Sequence, residues 1–541
     1  MFEVGRDILK NAGVRRGDVS AGRGRMRWIQ NFFILAFVIF VGRTMQLALQ
    51  GTDRGRVVAG ADRWVVNRAD IVDRNGDILA KNVVSGHITL RPRQVQNPEA
   101  VAELVHSIAP YEYSVSQVLK LLNSSRKFIY IKKYASESQR DMVARAKLAG
   151  LDIESIQQRK YPKRRLFSHV VGFVGNDGHG LEGAERTYDK YLRDNKEPLQ
   201  LSLDSRIQSV FYEQLSIAMQ KYQARNAMGM LMNTSTGEMI AMVSLPDFDP
   251  ENLTLDSTSN RLFKPMRATY EMGSIFKIFN TAMAMENGIN KEYYVKEAYK
   301  IRDKFGRVAA KIGDVASFKP PRPNLTVEEI MLHSCNAGSV QIALDLPDGT
   351  QPEFFHRMHF DEVLNLEFGQ TERTLLPQKW GPVERATVSF GHGIAVTPMH
   401  LLLGVNSMIN GGVYIYPTMK KRTFGPLRGE RVLSDEISAR LRGIMLRIAE
   451  ETTAKQARIA GIQIGGKTAT AEKRVNGKID KFKNLTAFVG IFPVNAPQYT
   501  ILIVLDEPKG TKESFGLRTA AWNAVPTAGK ILDSILPLLF E

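Results

Sequence analysis

The chain contains one cysteine, Cys335, among 541 residues. A single thiol excludes an internal disulfide and every metal site built from several cysteines. Histidine is scarce as well, and His356 and His359 are spaced to share one helix face. Because these two lack the acidic partner of a zinc-protease pattern, we predict no metal site, and the sequence indicates no cofactor.

Acidic residues are outnumbered, with 56 Asp and Glu against 73 Lys and Arg, which gives a formal net charge of +17. Nucleic-acid binding needs clustered basic residues. Here they are spread along the chain, without zinc-finger spacing or an aromatic RNA-binding signature, so we predict no nucleic-acid partner. An anionic lipid surface or an acidic wall polymer fits the charge as well.

Long apolar runs are rare. The stretch from Phe32 to Gly42 is unbroken, but it is shorter than the roughly 20 residues that span a bilayer. Extended to residues 28–49 it reaches that length, with Trp28 as an interfacial anchor. Basic residues precede it and no small-x-small cleavage site follows. We therefore predict a cytoplasmic basic tail over 1–27 and an uncleaved signal anchor over 28–49, in preference to a cleaved signal peptide.

The region after the predicted anchor, residues 50–197, alternates short strand-like runs with helical stretches. It holds Gly-rich turns and no obvious chemistry, so we predict a non-catalytic α+β domain. Strands are expected at 83–90 and 128–131, and helices at 98–108 and 138–149.

The remainder, residues 198–541, is richer in long apolar segments. We predict a hairpin at 228–243 that turns at Gly237, a strand pair at 485–505 and a helix at 525–538. Strands at both ends with helices between them indicate an α/β domain whose sheet the C-terminal strands complete.

Two motifs in the first region imitate functional ones. Gly178-His-Gly180-Leu-Glu-Gly183 fits the dinucleotide fingerprint, with Asp204 about 20 residues further on. A turn separates it from the preceding strand and no second strand–helix alternation follows, so a turn in a non-catalytic domain is favoured. Ser124-Ser-Arg-Lys127 repeats a nucleophile spacing in a polar, basic stretch, which is typical of the surface.

A serine–lysine pair on an apolar helix is the strongest chemical signal. Ser274-Ile-Phe-Lys277 follows Gly273 and opens the run IFKIFNTAMAM. The i, i+3 spacing puts both side chains on one helix face, and the helix is apolar all round, so we expect it to be buried. Burial disfavours the ammonium form, so the pKa of Lys277 should fall and make it a base for the Ser274 hydroxyl.

A second motif, Ser334-Cys335-Asn336, follows the helical stretch TVEEIMLHS. A serine and an asparagine two apart on a turn can point into one cleft, where they offer a proton relay and an amide donor. Taken alone, the motif is equally typical of an ordinary helix C-terminus.

A third motif, Lys467-Thr468-Ala469-Thr470, suits an edge strand beside a cleft. A second lysine and two hydroxyls there can bind a carboxylate, and a backbone N–H can serve an oxyanion hole. Taken alone, a polar edge strand explains it as well. The three motifs in this order are a strong combined signal for serine acyl transfer.

The three motifs are similar to the signature of the penicillin-binding transpeptidases, Ser-x-x-Lys, Ser-x-Asn and Lys-Thr-Gly. The resemblance covers nearly the whole chain. The predicted order of segments resembles that of the class B penicillin-binding proteins: a short tail, a single anchor, a pedestal domain and a transpeptidase domain, without a glycosyltransferase module. Within class B, the chain most resembles the division-specific branch. Further matching segments begin at Arg68, Tyr161, His169, Gly183, Leu203, Thr236, Phe248, Gly391, Thr397 and Trp522.

The resemblance implies a fold and a location. Residues 198–541 would form a serine β-lactamase-like transpeptidase domain, with an antiparallel sheet flanked by helices and a helical subdomain. An α+β pedestal over 50–197 and one transmembrane helix would precede it, in the bacterial inner membrane with the catalytic domain in the periplasm. Implied partners are peptidoglycan stem peptides, β-lactams, membrane lipid, a membrane glycan polymerase and other division proteins.

The resemblance also implies roles for single residues. Ser274 would attack the penultimate D-Ala carbonyl of a stem pentapeptide, and Lys277 would take its proton. Ser334 and Lys467 would relay a proton to the leaving D-Ala, while Asn336 positions the substrate amide.

The third motif completes this implied site. Thr468 and Thr470 would bind the terminal carboxylate, and the backbone N–H groups of Ser274 and Thr470 would form the oxyanion hole. Ala469 stands where the family has glycine, and its methyl would narrow the cleft or alter the fit of β-lactams. Alternative interpretations are an elongation-type class B transpeptidase, a β-lactam sensor and a non-catalytic division scaffold. The short tail speaks against the sensor, and the complete motif set against the scaffold.

Overall fold

The computed structural model describes residues 31–38, 40–42, 68–302, 305–314, 318–423, 425, 428–475 and 478–540. The chain forms two compact units, residues 1–65 and 66–541. In the first unit, residues 31–38 and 40–42 are helical with exposed side chains. Within the described ranges, no helix has both the length and the apolar character that crossing a bilayer requires. The predicted tail over 1–27 and the rest of the predicted anchor over 28–49 lie outside the described residues.

The larger unit begins with a five-stranded sheet and three long helices. Its strand order is β3-β2-β1-β5, and the long β2 also pairs with β4 over ten residue pairs, antiparallel. The strands are β1 (Ile71–Val72), β2 (Ile78–Leu90), β3 (Ile129–Lys132), β4 (Leu151–Lys160) and β5 (Leu199–Gln200). The helices are α1 (Pro98–Ile108), α2 (Val115–Leu122), α3 (Glu137–Ala146), α4 (Ser168–Val171), α5 (Gly183–Thr187) and α6 (Asp189–Asp194).

The helices of this region begin where the sequence supplies caps. Asn97 accepts the Ala100 N–H before α1, and Ser114 and Ser136 each form a capping box, before α2 and α3. Apolar faces of α1, α2 and α3 pack against β2 and β3 in a small core of their own. The predicted strands and helices of residues 50–197 are confirmed, with ends shifted by at most five residues.

A buried ion network holds the start of this region together. The Glu185 carboxylate is fully buried and accepts from Arg68 Nε at 2.5 Å and from Arg159 Nε at 2.7 Å. Two guanidinium groups around one carboxylate satisfy charges that would be costly to bury singly. The network ties residue 68 to β4 and to α5, which are distant in sequence.

The second region is built on an antiparallel sheet with strand order β16-β17-β18-β6-β7. The C-terminal strand β18 pairs with β6 over eight residue pairs, so the end of the chain completes the sheet as predicted. Its strands are β6 (Asn226–Asn233), β7 (Met239–Leu245), β16 (Gly465–Val475), β17 (Lys478–Phe492) and β18 (Tyr499–Asp506). Short strands between them are β8 (Glu292–Tyr294), β9 (Tyr299–Arg302), β10 (Val308–Ile312), β11 (Asn324–Thr326), β12 (Asn365–Leu366), β13 (Gly369–Gln370), β14 (Val413–Tyr414) and β15 (Glu430–Arg431).

Helices cover both faces of this sheet. Those described here are α7 (Ser205–Lys221), α8 (Lys264–Arg267), α9 (Lys277–Glu286), α10 (Val327–Leu332), α11 (Asn336–Asp345), α12 (Thr350–Arg357), α13 (Pro382–Val388), α14 (Pro398–Ile409), α15 (Asp435–Glu451) and α16 (Ala524–Phe540). A methyl on Gly229 of β6 would touch Phe211 and Leu215 of α7, so α7 lies on one face. On the opposite face, Thr500 of β18 donates to Asn406 of α14 at 2.9 Å.

One apolar core extends from the first region into the second. It joins Ile71 and Leu199 of the first sheet to the inner faces of β6, β17 and β18, and to α9 and α14. The boundary predicted between residues 197 and 198 stays a prediction. The predicted hairpin, the C-terminal strand pair and the final helix are confirmed.

Candidate active site

Ser274 lies in a short 3-10 turn, Gly273–Phe276, that leads directly into α9. Lys277 is the first residue of α9 and is 1% exposed, whereas Ser274 is half-buried. The turn is apolar on its inner side, because Ile275 and Phe276 enter the core. The predicted buried helix is confirmed, and Ser274, the predicted nucleophile, lies in the turn just before it and not within it.

Two glycines allow neighbouring backbone segments to approach the turn that carries Ser274. Gly273 has φ +51°, and a methyl on it would lie 3.3 Å from the Thr470 carbonyl oxygen. Gly391 has φ +78°, and a methyl on it would lie 2.2 Å from the Gly273 carbonyl oxygen. The turn that carries Ser274 is therefore held between β16 and the Gly391 turn, where a methyl at position 391 would clash and one at position 273 would be tight.

The side-chain nitrogen of Lys277 joins the first motif to the second. Its Nζ atom is 2.9 Å from Ser274 Oγ, 2.8 Å from the Ser334 carbonyl oxygen and 2.6 Å from Asn336 Oδ1. The amide orientation of Asn336 fits, because its Nδ2 donates to the Gly313 carbonyl oxygen. The structure thus brings together Ser274, Lys277 and both polar residues of the second motif.

Ser334 links the two lysines. Its Oγ lies 3.3 Å from Lys277 Nζ and 3.0 Å from Lys467 Nζ. Ser334 has φ +59°, a conformation that non-glycine residues rarely adopt. The turn between α10 and α11 therefore carries backbone strain at the residue whose hydroxyl lies between the two lysines.

Both lysine side chains are almost fully buried. Burial lowers the pKa of Lys277 to about 8, and the nearby Asp314 carboxylate opposes that shift. Burial also lowers the pKa of Lys467 well below its usual value, and the Lys277 charge adds to this effect. The loss of hydration disfavours each ammonium form, so neutral amines become accessible near neutral pH.

The third motif forms the edge strand of the catalytic sheet, as predicted. Thr468 Oγ1 lies 3.0 Å from the hydroxyl of Thr453, and Thr470 Oγ1 accepts the Ala520 N–H at 3.0 Å. Thr470 also passes beside Gly273, which brings its backbone next to the nucleophile turn. Their carboxylate-binding and oxyanion roles stay predictions.

Ala469 occupies a different face of the strand from the two threonines. Successive strand residues point to opposite faces, so Ala469 shares its face with Lys467 and Ala471. A methyl on Gly273 would lie 3.3 Å from the Ala471 Cβ, so this face of the strand is directed toward the Ser274 turn. Ala469 is 3% exposed and belongs to the main core. The methyl is therefore buried in the core, on the side of the strand that faces the Ser274 turn, which alters the expectation that it narrows an open cleft.

The motifs that were interpreted as non-functional lie outside this site. The Gly178–Gly183 segment closes an isolated bridge between Val174 and Gly180, and Asp204 caps α7 by accepting the Arg206 N–H. Ser124 is half-buried and donates to the Leu121 carbonyl oxygen at the end of α2, while residues 125–127 are exposed, so the interpretation of this stretch as surface is confirmed.

His356 and His359 do have acidic neighbours in space, which the sequence pattern did not indicate. His356 Nδ1 lies 2.8 Å from the Asp361 carboxylate, and His359 Nδ1 lies 3.2 Å from that of Glu362. One ligand atom from each of His356, Asp361 and Glu362 falls within a 4.8 Å group, fully on the surface. The predicted absence of a metal site stays a prediction.

Two residues near the site were missed by sequence reasoning. Asp314 accepts hydrogen bonds from the Ser334–Asn336 turn, and Thr453 contacts the third motif. Neither lies in a motif, because each comes from a segment that only the fold brings near. The end of a short hairpin supplies Asp314, and the turn after α15 supplies Thr453.

Comparison with known families agrees with this geometry. Residues 227–527 match the family described as penicillin binding protein transpeptidase domain, which is more than half of the chain. Residues 64–214 match the penicillin-binding protein dimerisation domain, which corresponds to the predicted pedestal.

Relatives span most of the chain. A probable peptidoglycan D,D-transpeptidase, FtsI, of Caulobacter vibrioides is 29% identical, covering 87% of this chain and 81% of its own. Stage V sporulation protein D of Bacillus subtilis is 28% identical, and the match covers 96% of this chain and 86% of that protein. Peptidoglycan D,D-transpeptidase FtsI of Escherichia coli is 27% identical, and the match covers 87% of this chain and 83% of that protein.

A solved structure shares the fold. The peptidoglycan synthetase of Bifidobacterium adolescentis superposes with a TM-score of 0.65 at 19% identity, covering 87% of this chain and 95% of its own. Together with the family matches, this confirms the predicted transpeptidase fold, the domain that precedes it and the predicted enzyme class. The chain belongs to the penicillin-binding transpeptidases, in the class B arrangement of a dimerisation domain followed by the transpeptidase domain.

Proposed function

We propose that this transpeptidase cross-links peptidoglycan stem peptides at the division septum through an acyl-enzyme on Ser274. The hydrogen bonds of Lys277 carry the proposal. The Ser334 carbonyl oxygen can only accept, and so can Asn336 Oδ1, so they take both N–H groups of a neutral amine. The lone pair is then left for the Ser274 hydroxyl, 2.9 Å away.

Acylation follows from this arrangement. Ser274 Oγ bonds to the carbonyl carbon of the penultimate D-Ala, and its proton passes to Lys277 Nζ. Backbone N–H groups of Ser274 and Thr470 stabilise the oxyanion. When the C–N bond breaks, the leaving D-Ala amine takes a proton through Ser334 and Lys467, whose Oγ and Nζ lie 3.0 Å apart. The product is a Ser274 ester and a released D-Ala.

The second half-reaction reverses these roles. An amine of a neighbouring stem peptide attacks the ester carbonyl and loses a proton to the same lysine–serine network. The ester C–O bond breaks, and Ser274 Oγ regains its proton. Asn336 positions the substrate amide, whereas Thr468 and Thr470 bind the terminal carboxylate only in the first half-reaction, because that carboxylate leaves with D-Ala. A β-lactam enters by the same first step, but ring opening expels no fragment and leaves a stable ester.

The division role rests on the relatives and on the architecture. Two of the relatives are named FtsI, the peptidoglycan D,D-transpeptidases of Caulobacter vibrioides and Escherichia coli. We propose a single-pass protein of the bacterial inner membrane, with the basic tail cytoplasmic and the catalytic domain periplasmic. A membrane glycan polymerase, other division proteins and anionic lipid are the proposed partners, and the net charge of +17 suits the lipid surface.

Intact-mass analysis after benzylpenicillin treatment tests the chemistry. We expect one adduct with the full mass of the β-lactam on the native protein, and none on Ser274→Ala. Ser124→Ala is the matched control, because Ser124 has the same spacing to a lysine but lies outside the site; it should acylate like the native protein. An adduct that persists in Ser274→Ala, or none in folded native protein, would overturn the proposal.

Depletion in the source bacterium tests the cellular role. Filaments with blocked septa would support the division role. Round cells would instead identify an elongation-type enzyme, and normal growth with a defect confined to spores would identify a sporulation role, as in the name of the Bacillus subtilis relative.

A further inference from the structure

The turn that presents Ser334 and Asn336 is strained and needs a support outside the three motifs. Ser334 adopts φ +59° between the end of α10 and the start of α11. The Ser334 N–H bonds to the Met331 carbonyl oxygen and the Cys335 N–H to that of Ile330. These bonds hold the turn to α10, but they do not fix the first residues of α11, where Asn336 lies.

Asp314 supplies that support from another segment. Its Oδ1 accepts the Asn336 backbone N–H, while its Oδ2 accepts the Cys335 thiol at 3.2 Å and the Ala337 N–H at 3.4 Å. A carboxylate suits this place, because the first N–H groups of a helix lack partners within the helix and attract negative charge. Asp314 lies directly after β10, so the β9–β10 hairpin brings it to α11.

The side chain of Asn336 is held from the same place. Its Nδ2 donates to the Gly313 carbonyl oxygen at 3.4 Å, and its Oδ1 accepts from Lys277 Nζ at 2.6 Å. Gly313 and Asp314 therefore fix Asn336 by its backbone and by its amide. A continuous path of hydrogen bonds runs from Asp314 through Asn336 to Lys277 and on to Ser274.

We propose that Asp314 is a positioning residue for acylation, one that holds Asn336 against Lys277 and sets the charge felt by that lysine. This role of Asp314 rests on the proposed function of Lys277 as the base for Ser274. Asp314 does not touch the reacting atoms; it acts through Asn336 and through its negative charge.

The charged groups around Lys277 have opposing effects. Burial lowers the pKa of Lys467 on β16 and of His392 on the Gly391 turn, and the Lys277 charge adds to both shifts. Burial raises the pKa of the Cys335 thiol to about 12, so that thiol stays neutral. Asp314 is the carboxylate that raises the pKa of Lys277 against the effect of burial. Its loss should therefore lower the pKa of Lys277 further.

Asp314→Asn in the full-length protein tests the proposal. The amide keeps one acceptor for Asn336 but loses the charge and the second acceptor. Asp345→Asn is the matched control, since Asp345 is a carboxylate at the opposite end of α11 that accepts from Tyr293. The measurement is the rate of acylation by benzylpenicillin across pH, with the melting temperature of each variant.

Asp314→Asn should acylate about tenfold more slowly at the plateau, which corresponds to about 1.4 kcal/mol. The rise of its rate with pH should move to lower pH, because the base form of Lys277 is favoured sooner. Asp314→Glu, which keeps the charge, should keep the native position of that rise, and it remains the test if Asp314→Asn does not fold. Asp345→Asn should match the native protein in both respects.

The proposal fails if Asp314→Asn follows Asp345→Asn at every pH, or if it loses melting temperature while its pH profile stays in place. It also fails if Asp314→Glu shows a shifted profile like a neutral variant. Failure of the proposed function is distinguishable, because the native protein would then form no Ser274 adduct at any pH.

Discussion

The Nζ atom of Lys277 lies 2.9 Å from the Oγ atom of Ser274, while two oxygens that can only accept lie on its other sides. This arrangement distinguishes a base from a salt-bridged lysine. No carboxylate pairs directly with Lys277 among the contacts of the described residues, and burial lowers its pKa to about 8.

The first prediction concerns the base itself. Lys277→Gln keeps a hydrogen-bonding side chain of similar length but cannot take the proton, so acylation by benzylpenicillin should slow by about 100-fold or more. Lys264→Met is the control, because Lys264 is a buried lysine outside the site. It should acylate at the native rate. Equal rates in Lys277→Gln and native protein would show that another group removes the proton.

Close backbone contact at the nucleophile gives a second prediction. In Gly391→Ala the new methyl would lie 2.2 Å from the Gly273 carbonyl oxygen, so the Ser274 turn must move. We expect a lower melting temperature and loss of most acylation activity. Gly288→Ala measures the cost of positive φ alone, since Gly288 has φ +66° and open space around it. That variant should lose about 1 kcal/mol of stability and keep its acylation rate. Equal acylation rates and melting temperatures in Gly391→Ala and Gly288→Ala would show that the close approach of Gly391 to Gly273 does not matter for acylation.

Ala469 provides a third prediction. Because its methyl packs in the core behind the nucleophile turn, Ala469→Gly should cost about 0.5–1 kcal/mol in stability and leave acylation within about threefold. Ala469→Val would overpack that face and displace Ser274, so acylation should fall more than stability does. Thermal unfolding and β-lactam acylation of both variants provide the check. A large gain of acylation in Ala469→Gly would place the methyl in the open cleft instead.

The buried network of the first region gives a fourth prediction. Glu185→Ala leaves Arg68 and Arg159 buried without their shared carboxylate, which should cost about 3–5 kcal/mol of stability. Asp141→Asn removes an exposed ion pair with Arg145 and should change stability by less than about 1 kcal/mol. Chemical denaturation measures both. Similar losses would mean that the network contributes no more than a surface pair.

Much of this site follows from local patterns in the sequence. The spacing of Ser274 and Lys277 on an apolar stretch was enough to predict burial and a lowered pKa, because neighbouring residues decide both. The edge position of β16 followed from its polar and β-branched residues. In the same way, short apolar runs and the turn residue between them predicted the hairpin about Gly237, and similar runs predicted the C-terminal strands that complete the sheet.

What escaped prediction depends on long-range contact. Asp314 reaches α11 from a hairpin 22 residues upstream of Asn336, and nothing in its own neighbourhood marks it as part of the site. The acids beside His356 and His359 likewise come together only in space. The alternation of side chains along a strand could have predicted that Ala469 points to the opposite face from the two threonines. Only the fold shows that the Ser274 turn lies on that face.

The dependence of acylation on pH tests the central claim most directly, that neutral Lys277 is the base for Ser274. The folded-state pKa of about 8 lies below the usual 10.5, so the base form gains population as pH rises through about 8. The rate of acylation by benzylpenicillin should therefore rise with pH around that midpoint and reach a plateau above it. Lys277→Gln should show a slow rate without this rise. A native rate that stays constant, or falls, as pH rises through about 8 would contradict the account.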